Sequence, residues 1–155
     1  MNKKAADAYW QEFLSTLPED SPYHIKVYVA EGWGDGPEMA DELGALIING
    51  TKTATCSALW EWDAEGESPP EVGRVTIVLD GHGEPMGIVE TTEVTLRKYN
   101  EVEADFARDE GEGDLSLQYW REAHKNFFSR TLPEIGKGFS KDMPLVCERF
   151  RLIYK

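Results

Sequence analysis

No stretch of this 155-residue chain is apolar enough to cross a bilayer, which takes ~20 consecutive apolar residues. A membrane partner is therefore not expected. Cysteine is scarce, with only Cys56 and Cys147. Both sit in apolar, strand-like surroundings and read as free buried thiols, since disulfides are rare in reducing compartments. Histidine is scarce too, at positions 24, 82 and 124, without the spacing of a zinc site. No metal and no cofactor is expected. Internal repeats and low-complexity tracts are missing. The opening Met1-Asn2-Lys3-Lys4 has no apolar signal core behind it, so a cytoplasmic location is the expectation.

Positive charge is also in short supply. Sixteen Lys and Arg face 29 Asp and Glu, a net charge of −13. Such a balance disfavours long duplex DNA, because nonspecific affinity for a phosphate backbone comes from cationic contacts. The deficit is uneven. Residues 1–115 hold 25 acidic and 8 basic side chains, whereas residues 116–155 hold 4 and 8. The last quarter thus has the makings of a local basic patch. A nucleoside or short RNA suits the chain better than a long polyanion.

What is present is enough for one domain over residues 1–155, with residues 1–22 as a helical extension. Ala6, Tyr9, Trp10, Phe13 and Leu14 share a face at helical spacing. Residues 24–29 alternate, with Ile25, Val27 and Val29 to one side, which predicts an extended segment. The glycine-rich Glu31–Glu38 loop leads into a helix that Asp35 or Gly36 caps and Pro37 opens. Gly50 ends that helix. Residues 51–60 read as a strand, 63–73 as an acidic loop, and 74–80 and 85–96 as strands. Short helices follow at 100–109 and 115–128, then a loop over 133–142 and a final strand over 144–154. Short strands with helices at their ends predict an α+β domain with a curled sheet or small barrel.

Chemistry is suggested by Lys52, Thr55 and Glu110. Lys52 follows a helix-ending glycine and precedes a strand, a place where burial lowers an amine's pKa. A neutral amine takes a proton from an attacking hydroxyl, and a carboxylic acid returns one to a leaving amine. Side chains alternate along a strand. Lys52 and Thr55 therefore converge only if Lys52 lies in the turn before it or a bulge intervenes; Thr53 is the alternative hydroxyl. Trp33, Trp60 and Trp62 flank this segment and read either as stacking platforms for a base or as packing, with Trp60 favoured for stacking. Asp35 reads as a ligand acceptor or a helix cap. Arg121 and His124, one turn apart, read as a phosphate-facing pair or as structural partners.

These residues fall in blocks: Gly34-Asp35, Pro37 to Leu43, Gly50-Thr51-Lys52-Thr53-Ala54-Thr55, Glu110 to Leu117 with Trp120-Arg121 and His124, and Val146-Cys147-Glu148-Arg149-Phe150. In this order they resemble the ASCH domain over roughly residues 24–154. The resemblance implies a PUA-like β-barrel with helices packed at its ends. One bacterial branch of the family hydrolyses the amide of N4-acetylcytidine. By that resemblance Lys52 is the proton acceptor, Thr55 the nucleophile and Glu110 the proton donor. Here the Glu110 block carries an inserted Gly111-Glu112-Gly113. The family also implies two alternatives, a non-catalytic RNA-binding module and a ribonuclease using the same cleft. Trp33, Asp35, Trp60 and Arg121 are the matching candidates for substrate recognition.

Overall fold

The spacing of Ala6, Trp10, Phe13 and Leu14 does form a helix, α1 (Lys3–Ser15), and those four residues are its buried face. The computed structural model describes residues 3–155. The order continues with β1 (Tyr28–Glu31), α2 (Pro37–Ile48), β2 (Ala54–Ala58), α3 (Leu59–Glu65), β3 (Val75–Leu79) and β4 (Pro85–Lys98). Helices α4 (Ala104–Glu110) and α5 (Leu117–Thr131) precede the last strand, β5 (Pro144–Tyr154). The strands make one mixed sheet in the order β1-β3-β4-β5-β2. β1 runs parallel to β3, while β3–β4 and β2–β5 are antiparallel. β1 and β2 are its edges, so the α+β class holds but the sheet is not closed into the expected barrel.

The chain divides into two compact units. Among the described residues, one comprises residues 3–50, Gly73–Glu90 and Arg151–Lys155; the other comprises Thr51–Val72 and Thr91–Phe150. In the first unit, α1 packs Trp10 and Phe13 against Val75, Ile77 and Ile88 of the sheet. The N-terminal helix thus contributes to this core. In the second unit, Ala54 and Ala58 of β2 meet Phe106, Trp120, Phe128 and Leu145. Thr91, Thr92 and Thr95 lie in β4, as β-branched residues favour.

Two local expectations fail for visible reasons. Residues 22–25 form a 3-10 turn started by Ser21, whose side chain accepts from the Tyr23 N–H, and by Pro22. The strand then begins only at Tyr28, and Ile25 and Val27 are 90% and 88% exposed. Tyr28 and Ala30 pack on the core instead; starting the strand later gives the core the opposite set of side chains. Residues 59–65 are helical rather than strand and loop. Gly66, in the left-handed region, closes this helix with its N–H on the Asp63 and Trp62 carbonyls.

Trp10, 5% exposed, and Leu96, 62% exposed, make opposite predictions. Trp10→Ala should lower unfolding free energy by about 3–5 kcal/mol, and Leu96→Ala should change it by less than about 0.5 kcal/mol. Urea titrations read both, and equal losses would contradict the core described here.

Candidate functional site

Lys52 is drawn into the second unit by its backbone. Gly50 takes φ 84°, a value that favours glycine. The Thr53 N–H then donates to the Asp109 carbonyl at 2.8 Å, and the Phe150 N–H donates to the Thr53 carbonyl at 3.1 Å. The segment before β2 is thereby held on the C-terminal turn of α4. Gly111, at φ 75°, lets the chains come this close: a Cβ there would stand 2.6 Å from the Thr51 carbonyl oxygen. Exposure alternates through residues 51–54, with Lys52 and Ala54 buried and Thr51 and Thr53 exposed.

The Lys52 side chain is 1% exposed, and Nζ has three oxygen acceptors. Glu110 Oε1 is at 3.0 Å, Glu112 Oε2 at 3.2 Å and the Glu110 backbone carbonyl at 3.3 Å. Glu110 ends α4, where a carboxylate is disfavoured by the helix dipole and a cation is favoured. The ammonium meets both needs. The other carboxylate oxygen, Oε2, accepts from Trp120 Nε1 at 2.6 Å and lies 3.4 Å from His124 Nε2. His124 stacks on Trp120 at 4.2 Å, and its Nδ1 is 2.9 Å from the Trp120 carbonyl. Cys56 adds its Sγ; that atom, a Glu110 oxygen and a His124 nitrogen all lie within 4.8 Å of one another.

The charges follow from this packing. Burial pulls the Lys52 pKa down, but Glu110 and Glu112 outweigh it and leave the pKa above its ordinary value. The neutral resting amine expected from burial alone is therefore corrected: Lys52 is an ammonium ion. Burial pushes Glu110 up, yet Lys52 and then His124 hold its carboxyl well below the usual range. Burial lowers His124 and Glu110 raises it, with a net rise. Burial and then Glu110 push the Cys56 thiol well up.

Thr55 is second in β2 and pairs with Glu148 of β5. Cys56 turns its side chain toward Glu110, so alternation directs Thr55 to the other face of the strand, with Glu148. Glu148 accepts from Thr91 there, at 3.2 Å. The register of β2 is regular, and no bulge turns Thr55 back. The hydroxyl of Thr53 donates to the Asp109 carbonyl at 3.4 Å.

The recognition candidates divide. Trp60 is half-buried against the core of the second unit, with the Lys137 ammonium 5.7 Å above its ring. Arg121 donates to the Val102 and Asn100 carbonyls at 2.9 and 3.4 Å. Trp33 and Asp35 lie in the glycine-rich loop of the first unit, where Trp33 donates to Glu31 at 3.2 Å. Gly36, rather than Asp35, is the N-cap of α2. The basic last quarter is partly spent internally: Arg149 pairs with Asp109 at 2.6 Å and Arg151 with Glu90 at 2.7 Å. A cavity of about 540 Å³, lined by Trp10, Tyr28, Lys3 and Lys26 among others, belongs to the first unit and not to the Lys52 cluster.

Glu112, Trp120 and Cys56 were missed as partners of this cluster. Trp120 and His124 are four apart on a helix, a legible signal. Glu112 lies in the inserted Gly111-Glu112-Gly113, and nothing in the spacing of Cys56 joins it to Glu110.

The ASCH domain profile matches residues 30–154. The crystal structure of an ASCH domain from Lactobacillus crispatus superposes with a TM-score of 0.92 and 36% identity, covering 98% of this chain and 96% of that one. A protein of Enterococcus faecalis gives 0.86 and 35%, covering 99% and 90%. ASCH from Zymomonas mobilis gives 0.50 at 10% identity, covering 80% and 65%, and shares the fold alone. Comparison with curated proteins gives no match.

Glu110→Gln would leave the Lys52 ammonium buried without its main counter-ion, at a cost of about 3–5 kcal/mol near pH 7. Adding Lys52→Met should recover part of that loss. Because the Glu110 pKa is depressed by folding, its contribution is complete above about pH 4.3 and is lost as pH falls below that. Urea titrations of wild type and Glu110→Gln between pH 7 and 3 should show the gap closing. A gap that persists unchanged at pH 3 contradicts the ion pair.

Proposed function

The chain belongs to the ASCH domain family, and on that premise we propose that it is a hydrolase acting on a nucleoside or nucleotide, with the Lys52–Glu110 pair as its proton-handling centre. The observation that carries this reading is the burial of the pair, at 1% and 2% side-chain exposure. Two ions taken out of water are costly, and well-packed apolar residues often serve stability as well or better. Buried, mutually perturbed titratable groups are concentrated at functional sites.

The resting pair is one proton transfer away from the required roles. Moving a proton from Nζ to Oε1 along the 3.0 Å hydrogen bond turns ammonium and carboxylate into amine and carboxylic acid. Low polarity around both groups favours the neutral forms once a substrate displaces Glu112. The amine then accepts the proton of the attacking hydroxyl, and the acid donates one to the leaving amine. Lys52 ends as ammonium and Glu110 as carboxylate, so the cycle closes. The attacking hydroxyl in this reading is a water, because Thr55 shares its face with Glu148. The substrate class, an N4-acetylcytidine-like amide, comes from the family resemblance. Trp60, half-buried in the same unit as the Lys52 cluster, carries over as a recognition candidate.

Acetate release from N4-acetylcytidine tests this. Wild type should turn over, while Lys52→Met and Glu110→Gln, checked for folding by circular dichroism, should lose at least roughly 10²-fold. Thr55→Ala should stay within a few-fold of wild type. Loss of turnover in Thr55→Ala would return the nucleophile to Thr55, and full activity in Lys52→Met would end the proposal. Binding of short RNA that weakens steeply with salt, without any turnover, would favour the RNA-binding alternative.

A further inference from the structure

Cys56, Glu110 and His124 come from a strand, the end of one helix and the middle of another. They bring a sulfur, a carboxylate oxygen and an imidazole nitrogen within 4.8 Å of one another in the interior of the second unit. A tetrahedral zinc ion with bonds of about 2.0–2.3 Å sets its donors roughly 3.3–3.8 Å apart. Binding would draw the most separated of these donors together by about 1–1.5 Å.

The outer shell is also in place. A ligating histidine ordinarily donates its second ring N–H to a carbonyl or carboxylate, which fixes the tautomer. His124 does this through Nδ1, 2.9 Å from the Trp120 carbonyl, and its Nε2 is turned to Glu110 Oε2 at 3.4 Å. A ligating carboxylate is in turn hydrogen-bonded. Trp120 Nε1 holds Glu110 Oε2 at 2.6 Å, and Lys52 holds Oε1 at 3.0 Å.

We propose that Cys56, Glu110 and His124 form a binding site for a borderline-soft divalent transition metal such as zinc. Three protein donors leave a fourth position open for water or a ligand, the pattern of a reactive rather than a structural site. The charges balance. Lys52 offsets one of the two carboxylates, Glu110 and Glu112. A divalent ion then offsets the other carboxylate and the Cys56 thiolate. Binding breaks the Cys56 Sγ–H bond, and the Nε2–H bond of any protonated His124, and releases those protons to buffer; no electron moves. The site shares Glu110 with the proposed hydrolase centre but does not depend on that reading. A metal held there takes the carboxylate away from proton transfer and should therefore inhibit metal-free turnover.

Cobalt(II) is the probe, added to the full chain after chelator treatment. The expected result is one cobalt per chain by equilibrium dialysis, visible d–d bands of tetrahedral intensity and a near-ultraviolet thiolate-to-cobalt charge-transfer band. Cys56→Ser should abolish the charge-transfer band, while Cys147→Ser, the control for the other thiol, should keep it. His124→Gln should weaken binding by at least roughly 10-fold. Circular dichroism of each variant separates loss of binding from loss of fold. Absence of the charge-transfer band in folded wild type, or its survival in Cys56→Ser, would overturn the proposal. Because binding is read without substrate, its failure is distinct from failure of the hydrolase reading.

Discussion

An ammonium ion held inside a protein dictates much of what surrounds it. Lys52 is surrounded by oxygen acceptors because it has to be: an unpaired charge in that place would cost several kcal/mol even after relaxation. Three contacts meet the need, two carboxylates and the Glu110 backbone carbonyl at the end of α4. The local backbone follows from them. Gly111 has no Cβ to push Thr51 and Lys52 away. After it, Gly113 and Leu115 take φ values of 60° and 69°, a conformation Leu seldom adopts. That strained turn is the one that carries Glu112.

The same pairing fixes where protons reside. Desolvation alone favours a neutral lysine and a neutral glutamic acid; mutual attraction favours the ions, and here attraction prevails for both groups. The margin is set by neighbours rather than by the pair alone. Glu112 stabilises the ammonium and is 25% exposed, so it is the member of the cluster that solvent or a ligand reaches most readily. Trp120 and His124 stabilise the carboxylate from the opposite side. With carboxylates on one partner and donors on the other, the balance of charge favours the proton on Lys52.

The sequence was legible wherever a local rule decided the outcome. Gly50 and Pro37 bracket α2, and Pro144–Tyr154 is a strand over the span read from its pattern. Val102, Phe106 and Ala107, in the stretch read as a short helix over 100–109, are buried. Legibility failed where two rules competed. Trp60 and Trp62, two apart, mimic a strand period, but Gly66 terminates a short helix that contains both. Ile25 and Val27 alternate like a core strand, yet Pro22 and the Ser21 cap delay the strand by a few residues. Ring closure could not be read at all, because it depends on which strands become edges, and β2 pairs only with β5.

The cluster around Lys52 shows the same division at finer grain. The motif around Lys52 locates a lysine but not its charge, since burial and counter-charge act in opposite directions and only packing says which wins. The motif also places Thr55 three residues on, an odd separation that strand alternation turns into opposite faces once the register with β5 is regular. An even separation from Lys52 selects Cys56 instead, and this is the side chain found beside Glu110. Counting by twos from the buried lysine is thus the reading of this segment that physical geometry supports. It exchanges an alcohol for a thiol at the heart of the cluster, and with the thiol come ligand properties that the lysine, threonine and glutamate alone would not have.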